Sequence, residues 1–161
     1  MPYAKADIHV SHAQYWLAEL GTLDAIRPEM YQHFNGLVSA HEYLAIVMTG
    51  TEFGVVSLSV DWRETEPLLD FGWDEIVEVS MLFEDEPGAL FGPRDQDAHA
   101  FPQISPGSYR VRFHARGRDR ACAARTVLES PLEEHLVVAW PAPSAPEVVH
   151  KLTDSYGAEI R

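Results

Sequence analysis

One cysteine, Cys122, stands in the whole chain, so no internal disulfide can close. That suits a reducing compartment, and the expected location is the cytoplasm. Lysine occurs only at Lys5 and Lys151, and Asn35 is the sole asparagine. No apolar run approaches the ~20 residues that a membrane helix needs. Met1 to Asp7 lacks the charged-then-apolar layout of a signal peptide. Cations are scarce: 12 Lys and Arg face 25 Asp and Glu, for a formal net charge of -13. Direct nucleic-acid binding is thereby disfavoured, because phosphates need a basic footprint.

Catalytic signatures are missing as well. The chain has no phosphate-cradling glycine loop and no dinucleotide fingerprint. Ser11-His12 lacks the glycine elbow of a hydrolase. His9 and His12 are three apart on a predicted strand, which puts them on opposite faces, and no zincin spacing occurs. Cys122 follows Arg118 and Arg120, whose charge would favour a thiolate. Its alanine neighbours suit a packed thiol better. The expectation is a non-enzymatic protein with no metal and no cofactor.

What is present suffices for one domain over residues 1–161, since 46% of the chain is hydrophobic and 11% aromatic. The clearest pattern follows the Pro106-Gly107 turn. Tyr109, Val111, Phe113 and Ala115 share one parity, and Arg110, Arg112, His114 and Arg116 the other. A strand sends alternate side chains to opposite faces, so this is a strand with an apolar underside and a basic upper face. Ala6–Val10, Glu42–Thr49, Phe53–Trp62, Trp73–Phe83 and Glu134–Trp140 also read as strands. Ala13 to Leu20 either continues the first strand past a bulge or turns into a short helix, and Tyr15 and Leu17 against Gln14 favour the strand. Glu42–Thr49 and Phe53–Trp62, joined by Gly50-Thr51-Glu52, are expected to form a hairpin. Residues 21–34 are the one helical candidate, with Pro28 near its start and Asn35-Gly36 after its end. Residues 89–97 read as a loop, 121–131 as irregular, and the proline-rich 141–146 as extended without pairing. Residues 147–161 form a tail, with an edge strand at Val148-Val149-His150. The fold class is all-β: an antiparallel β-sandwich of about seven or eight strands with one short helix, with a closed barrel as the alternative. Its packing should bury Trp62, Trp73 and Trp140.

Charge is unevenly placed. Residues 61–97 sum to -10, and residues 98–161 to +1. The acidic middle supplies Glu64, Glu66, Asp70, Asp74, Glu84, Asp85, Glu86, Asp95 and Asp97, a candidate surface for a basic protein partner. Solvated loops are the other reading of the same residues. The basic face can likewise grip an anionic ligand or pair with Glu78 across the sheet. A small-ligand pocket between the sheets near Arg112, His114 and His135 is the alternative function. An unrecognised metal-dependent enzyme is a further alternative.

Three segments resemble the competence protein J family, the DNA-entry nuclease inhibitors. They are Ile8-His9-Val10-Ser11-His12-Ala13-Gln14-Tyr15, Ile104-Ser105-Pro106-Gly107-Ser108-Tyr109-Arg110-Val111, and His135 to Trp140. Most of the chain also resembles a group of uncharacterised actinobacterial proteins. Asn35-Gly36-Leu37, Trp73 to Ser80, Tyr109-Arg110-Val111-Arg112 and Trp140-Pro141-Ala142-Pro143 carry that likeness. The first resemblance implies a small acidic protein that neutralises a nuclease. The acidic 63–74 and 84–99 loops are insertions relative to that family, and no individual contact residue is carried over.

Overall fold

A computed structural model describes residues 3–20, 34–92 and 101–161. Eleven strands and two short helices follow one another in these residues. They are β1 (Tyr3–Val10), β2 (Gln14–Glu19), β3 (Val38–His41), β4 (Leu44–Met48), β5 (Phe53–Trp62) and β6 (Glu75–Phe83). Then come β7 (Gly88–Phe91), β8 (Gly107–Arg116), α1 (Arg118–Ala124), β9 (Thr126–Val127), β10 (Glu134–Pro141), β11 (Val148–Leu152) and α2 (Ser155–Ile160). The expected helix over 21–34 lies outside the described residues, Phe34 apart. So do Asp95 and Asp97.

Two sheets stack as the alternating patterns require. The seven-stranded sheet runs β1-β5-β10-β8-β6-β11, with β9 added beside β5; the four-stranded sheet runs β3-β4-β2-β7. Between them lie Tyr109, Val111, Phe113 and Ala115 of β8, together with Val56, Leu58, Val60 and Trp62 of β5. A smaller cluster of Ala18, Leu44, Ile46, Ala89 and Phe91 occupies the other face of the four-stranded sheet. The sandwich is antiparallel except where β5 meets β10 and β9. β10 takes its direction from antiparallel pairing with β8 along its whole length, which leaves its far edge parallel to β5. Residues 63–133 supply the long crossover that a parallel pair demands.

The expected hairpin of residues 42–62 does not form. β4 and β5 belong to different sheets. The connection is turned by contacts far away in sequence: Gly50 and Thr51 donate their N–H groups to the Glu133 carboxylate, and Glu52 donates to the Arg125 carbonyl. Gly50 is obligatory there, since a Cβ would lie 2.1 Å from the Arg118 carbonyl oxygen. Residues 89–91, read as loop, form β7, and α1 begins the stretch read as irregular. The tail is fastened by α2, whose N-terminus is capped by Asp154 accepting from the Gly157 N–H. β11 is the expected edge strand, with a bulge between Val149 and Lys151.

Candidate protein-docking site

The basic row of β8 is not solvent-facing. Arg110, Arg112 and His114 are buried, and only Arg116 is exposed. Loop 63–72 and residues 142–147 lie over that face of the seven-stranded sheet. One carboxylate holds the cluster together. Glu78 accepts from Arg110 Nε at 3.0 Å and Arg112 Nε at 3.1 Å, and lies 3.1 Å from His150 Nε2. Burial by itself would raise the Glu78 pKa, but His150, Arg110 and Arg112 outweigh it and hold it below the usual range. Arg112 stacks over Trp140 and Arg116 over Trp73. Trp140 and Trp73 are therefore buried beneath loops on the outer face, whereas Trp62 is buried between the sheets.

The same arginines anchor what covers them. Arg110 donates to the carbonyls of Ala145 and Pro146. Arg112, 1% exposed, donates to the Pro67 carbonyl and to the Glu66 carboxylate, each at 3.0 Å. Asp70 accepts the Gly72 N–H within the loop, and Lys151 reaches over from β11 to the Phe71 carbonyl. Loop 63–72 is thus pinned to a buried charge. Its acids Glu64, Glu66 and Asp70 remain exposed, as do Leu68 at 97%, Phe71 at 58% and Leu69. Those apolar residues were missed in the sequence, although Pro67-Leu68-Leu69-Asp70-Phe71 is an apolar run inside an acidic connection.

The remaining acids go elsewhere. Asp74 is half-buried and accepts the Gly117 N–H, which ties β6 to α1. Glu84, Asp85 and Glu86 are exposed on a turn whose three N–H groups all converge on Glu19 Oε1. That turn lies roughly 20 Å further along β6 than Glu78, at ~3.3 Å per residue. The acidic residues therefore make two patches rather than one.

Arg112, His114 and His135 are not brought together. Arg112 and His114 sit on the outer face of the sheet. His135 pairs with Ala115 and points between the sheets. There it lies 3.1 Å from the Tyr15 hydroxyl and 2.8 Å from Glu133, all three fully buried. Apolar side chains fill the space around them, and the crevice among Ile8, Tyr15, Leu58, Leu90 and Phe101 has no room for water. His114 donates from Nδ1 to the Leu136 carbonyl at 3.0 Å; burial pushes its pKa down to about 4. It is neutral at physiological pH.

A second buried network closes the end of the sandwich that carries the helices. Arg118 donates twice to Asp154, and also to the carbonyls of Gly36 and Met48. Glu75 lies beside this pair, with Oε1 accepting from the N–H groups of Thr153 and Asp154. Its Oε2 has no hydrogen-bond partner and stands 3.8 Å from Arg118. Burial pushes the Glu75 pKa up to about 7. Cys122 lines a nearby open cleft of about 430 Å³ with His12, Glu52, Arg125 and Tyr156. Burial raises its thiol pKa, with Glu159 and Asp119 adding to the effect, so the arginines of α1 do not activate it.

Among the described residues, no group of three or more His, Cys, Asp and Glu is placed to hold a metal, and no helix is long and apolar enough to cross a membrane. No family model matches the chain, and no curated protein matches it either. Solved structures do. A protein described as "Crocagin biosynthetic gene J" superposes with a TM-score of 0.59 and 12% identity, over 88% of this chain and 98% of its own. ComJ from Bacillus subtilis, described as an inhibitor of the DNA degrading activity of NucA, gives 0.55 at 7% identity, over 86% and 95%. The chain is thus a distant structural relative of ComJ, and at this identity the likeness shows a shared fold.

Proposed function

We propose that this chain is a non-enzymatic binding protein that docks a basic protein, with a nuclease as the partner class. The observation that carries this reading is the mounting of loop 63–72. A buried guanidinium, Arg112, fixes the loop through Glu66 and the Pro67 carbonyl while its acids face solvent. A loop fixed in advance loses little freedom on binding, so more of the contact energy appears as affinity. The net charge of -13 steers a cationic partner toward it. ComJ, which shares the fold, is described as inhibiting a DNA-degrading protein. That description supports the choice of partner class. Affinity capture from producing cells at low salt and at about 0.5 M salt tests the reading. The expected result is a cationic protein retained at low salt and lost at high salt, whose DNA cleavage slows when the purified chain is added. Absence of any cationic partner at both ionic strengths ends it.

A further inference from the structure

We infer that the partner presents an apolar socket ringed by lysine or arginine, and that Leu68 is the side chain that fills it. This rests on the docking reading above and specifies the contact.

Isolated exposed leucines are ordinary on protein surfaces. Here three large apolar side chains, Leu68, Leu69 and Phe71, are exposed within four consecutive residues. The segment is held out by Arg112 from below and by Lys151 on the Phe71 carbonyl. Glu64 and Glu66 precede it in sequence, and Asp70 stands within it between Leu69 and Phe71. An apolar centre with a charged surround is the anatomy of an energetic anchor, because the rim excludes water from the centre. The same surround selects the occupant. Carboxylates beside Leu68 oppose the anionic surface of a membrane. A second copy would bring the same acids against these, under a net charge of -13 on each chain. A cationic rim is complementary to them. The Glu84-Asp85-Glu86 turn has charge but no apolar residue among its three acids, and it lies on a separate patch.

The test places a photoreactive p-benzoylphenylalanine at position 68, or at position 85, of the full chain in producing cells. Cross-linked proteins are identified by mass spectrometry. The recovered protein is then purified, and its affinity is measured for wild type, Leu68→Asp, Leu68→Met and Glu84→Gln/Asp85→Asn/Glu86→Gln. Leu68 is almost wholly exposed, so Leu68→Asp folds as wild type does, which circular dichroism verifies. The expected result is a cross-link to a cationic protein from position 68 and none from position 85. Leu68→Asp should then weaken binding about 30-fold or more, while Leu68→Met and the triple variant stay within roughly threefold. Cross-links from position 85 alone, or a Leu68→Asp affinity equal to wild type, overturn the anchor and leave the docking reading standing. Cross-links from position 68 to a second copy or to lipid also overturn it. No cationic protein from either position removes the anchor and the docking reading together.

Discussion

Arg112 and Arg118 are among the largest fully buried side chains of the protein, although both come from the stretch with the most basic pattern in the sequence. Guanidinium is suited to this placement because its five donors can be distributed over carboxylates and carbonyls. Arg118 satisfies Asp154 and two backbone carbonyls, but the interior also holds Glu75, so two carboxylates share one cation. Burial raises the Glu75 pKa to about 7, while the Arg118 hydrogen bond helps hold Asp154 below its ordinary value against its own burial. The two acids therefore act in opposite directions. A raised carboxyl pKa contributes stability that is complete below the ordinary value of 4.5 and is lost as pH climbs through about 7. A lowered one contributes stability present above its ordinary 3.8 and lost in acid. Urea denaturation should accordingly show the wild type less stable at about pH 8 than at about pH 6. Glu75→Gln keeps the acceptor for Thr153 and Asp154 but removes the proton equilibrium, so its loss over the same range should be smaller. Equal slopes for the two proteins would contradict this assignment.

Among the elements, loop 63–72 owes its shape to β8 rather than to itself. It contains two turn formers, Pro67 and Gly72, and no regular structure. Its fixed course comes from Arg112 and Lys151. Arg112→Met retains an apolar stem over Trp140 but withdraws the donors from Glu66 and Pro67. Glu78 keeps Arg110 and His150, so the sheet should survive. The expected effect is local. Chymotrypsin should cut after Leu68, Leu69 or Phe71 about tenfold faster than in wild type, as a local opening ~1.4 kcal/mol easier implies. Far-ultraviolet circular dichroism should not change. A cleavage rate equal to wild type would show that the loop does not depend on its arginine. This dependence was not legible in the sequence. The loop's charge was, but its partner lies on a strand more than forty residues later, and strand periodicity alone makes Arg112 look solvated.

For the whole molecule, charge sets how a partner arrives and the anchor sets how long it stays. Most of the excess negative charge sits within residues 61–97, with described parts in the 63–72 loop and the 84–86 turn. Long-range fields from both patches add at a distance, although only one of them is proposed to touch the partner. The association rate with the captured partner should therefore fall by tenfold or more between about 0.05 and about 0.5 M salt. The dissociation rate should change far less, because it reports desolvated contacts. Stopped-flow kinetics separates the two. A salt effect confined to dissociation would count against electrostatic steering.

Alternation every second residue was enough to define β1, β5 and β8 and which of their side chains face the core, because a pleated strand sends successive side chains to opposite faces. β10 was legible as a strand but not in its parity: Leu136, Val138 and Trp140 align on the outer face, while Val137 and Ala139 enter the core. The same pattern was enough for the all-β class and for the burial of Trp62 between the sheets, whereas Trp73 and Trp140 are buried by the loops that cover the outer face. Which strands share a sheet was decided elsewhere: β4 and β5 part company because Glu133, Arg118 and Arg125 turn residues 50–52 from far along the chain. The destination of each charge was also a tertiary matter. Local sequence shows that Arg112, His114 and the loop acids are polar. Only the laying of loop 63–72 over β8 determined that the arginine is buried, that Glu66 is held by it, and that Leu68 is left in water.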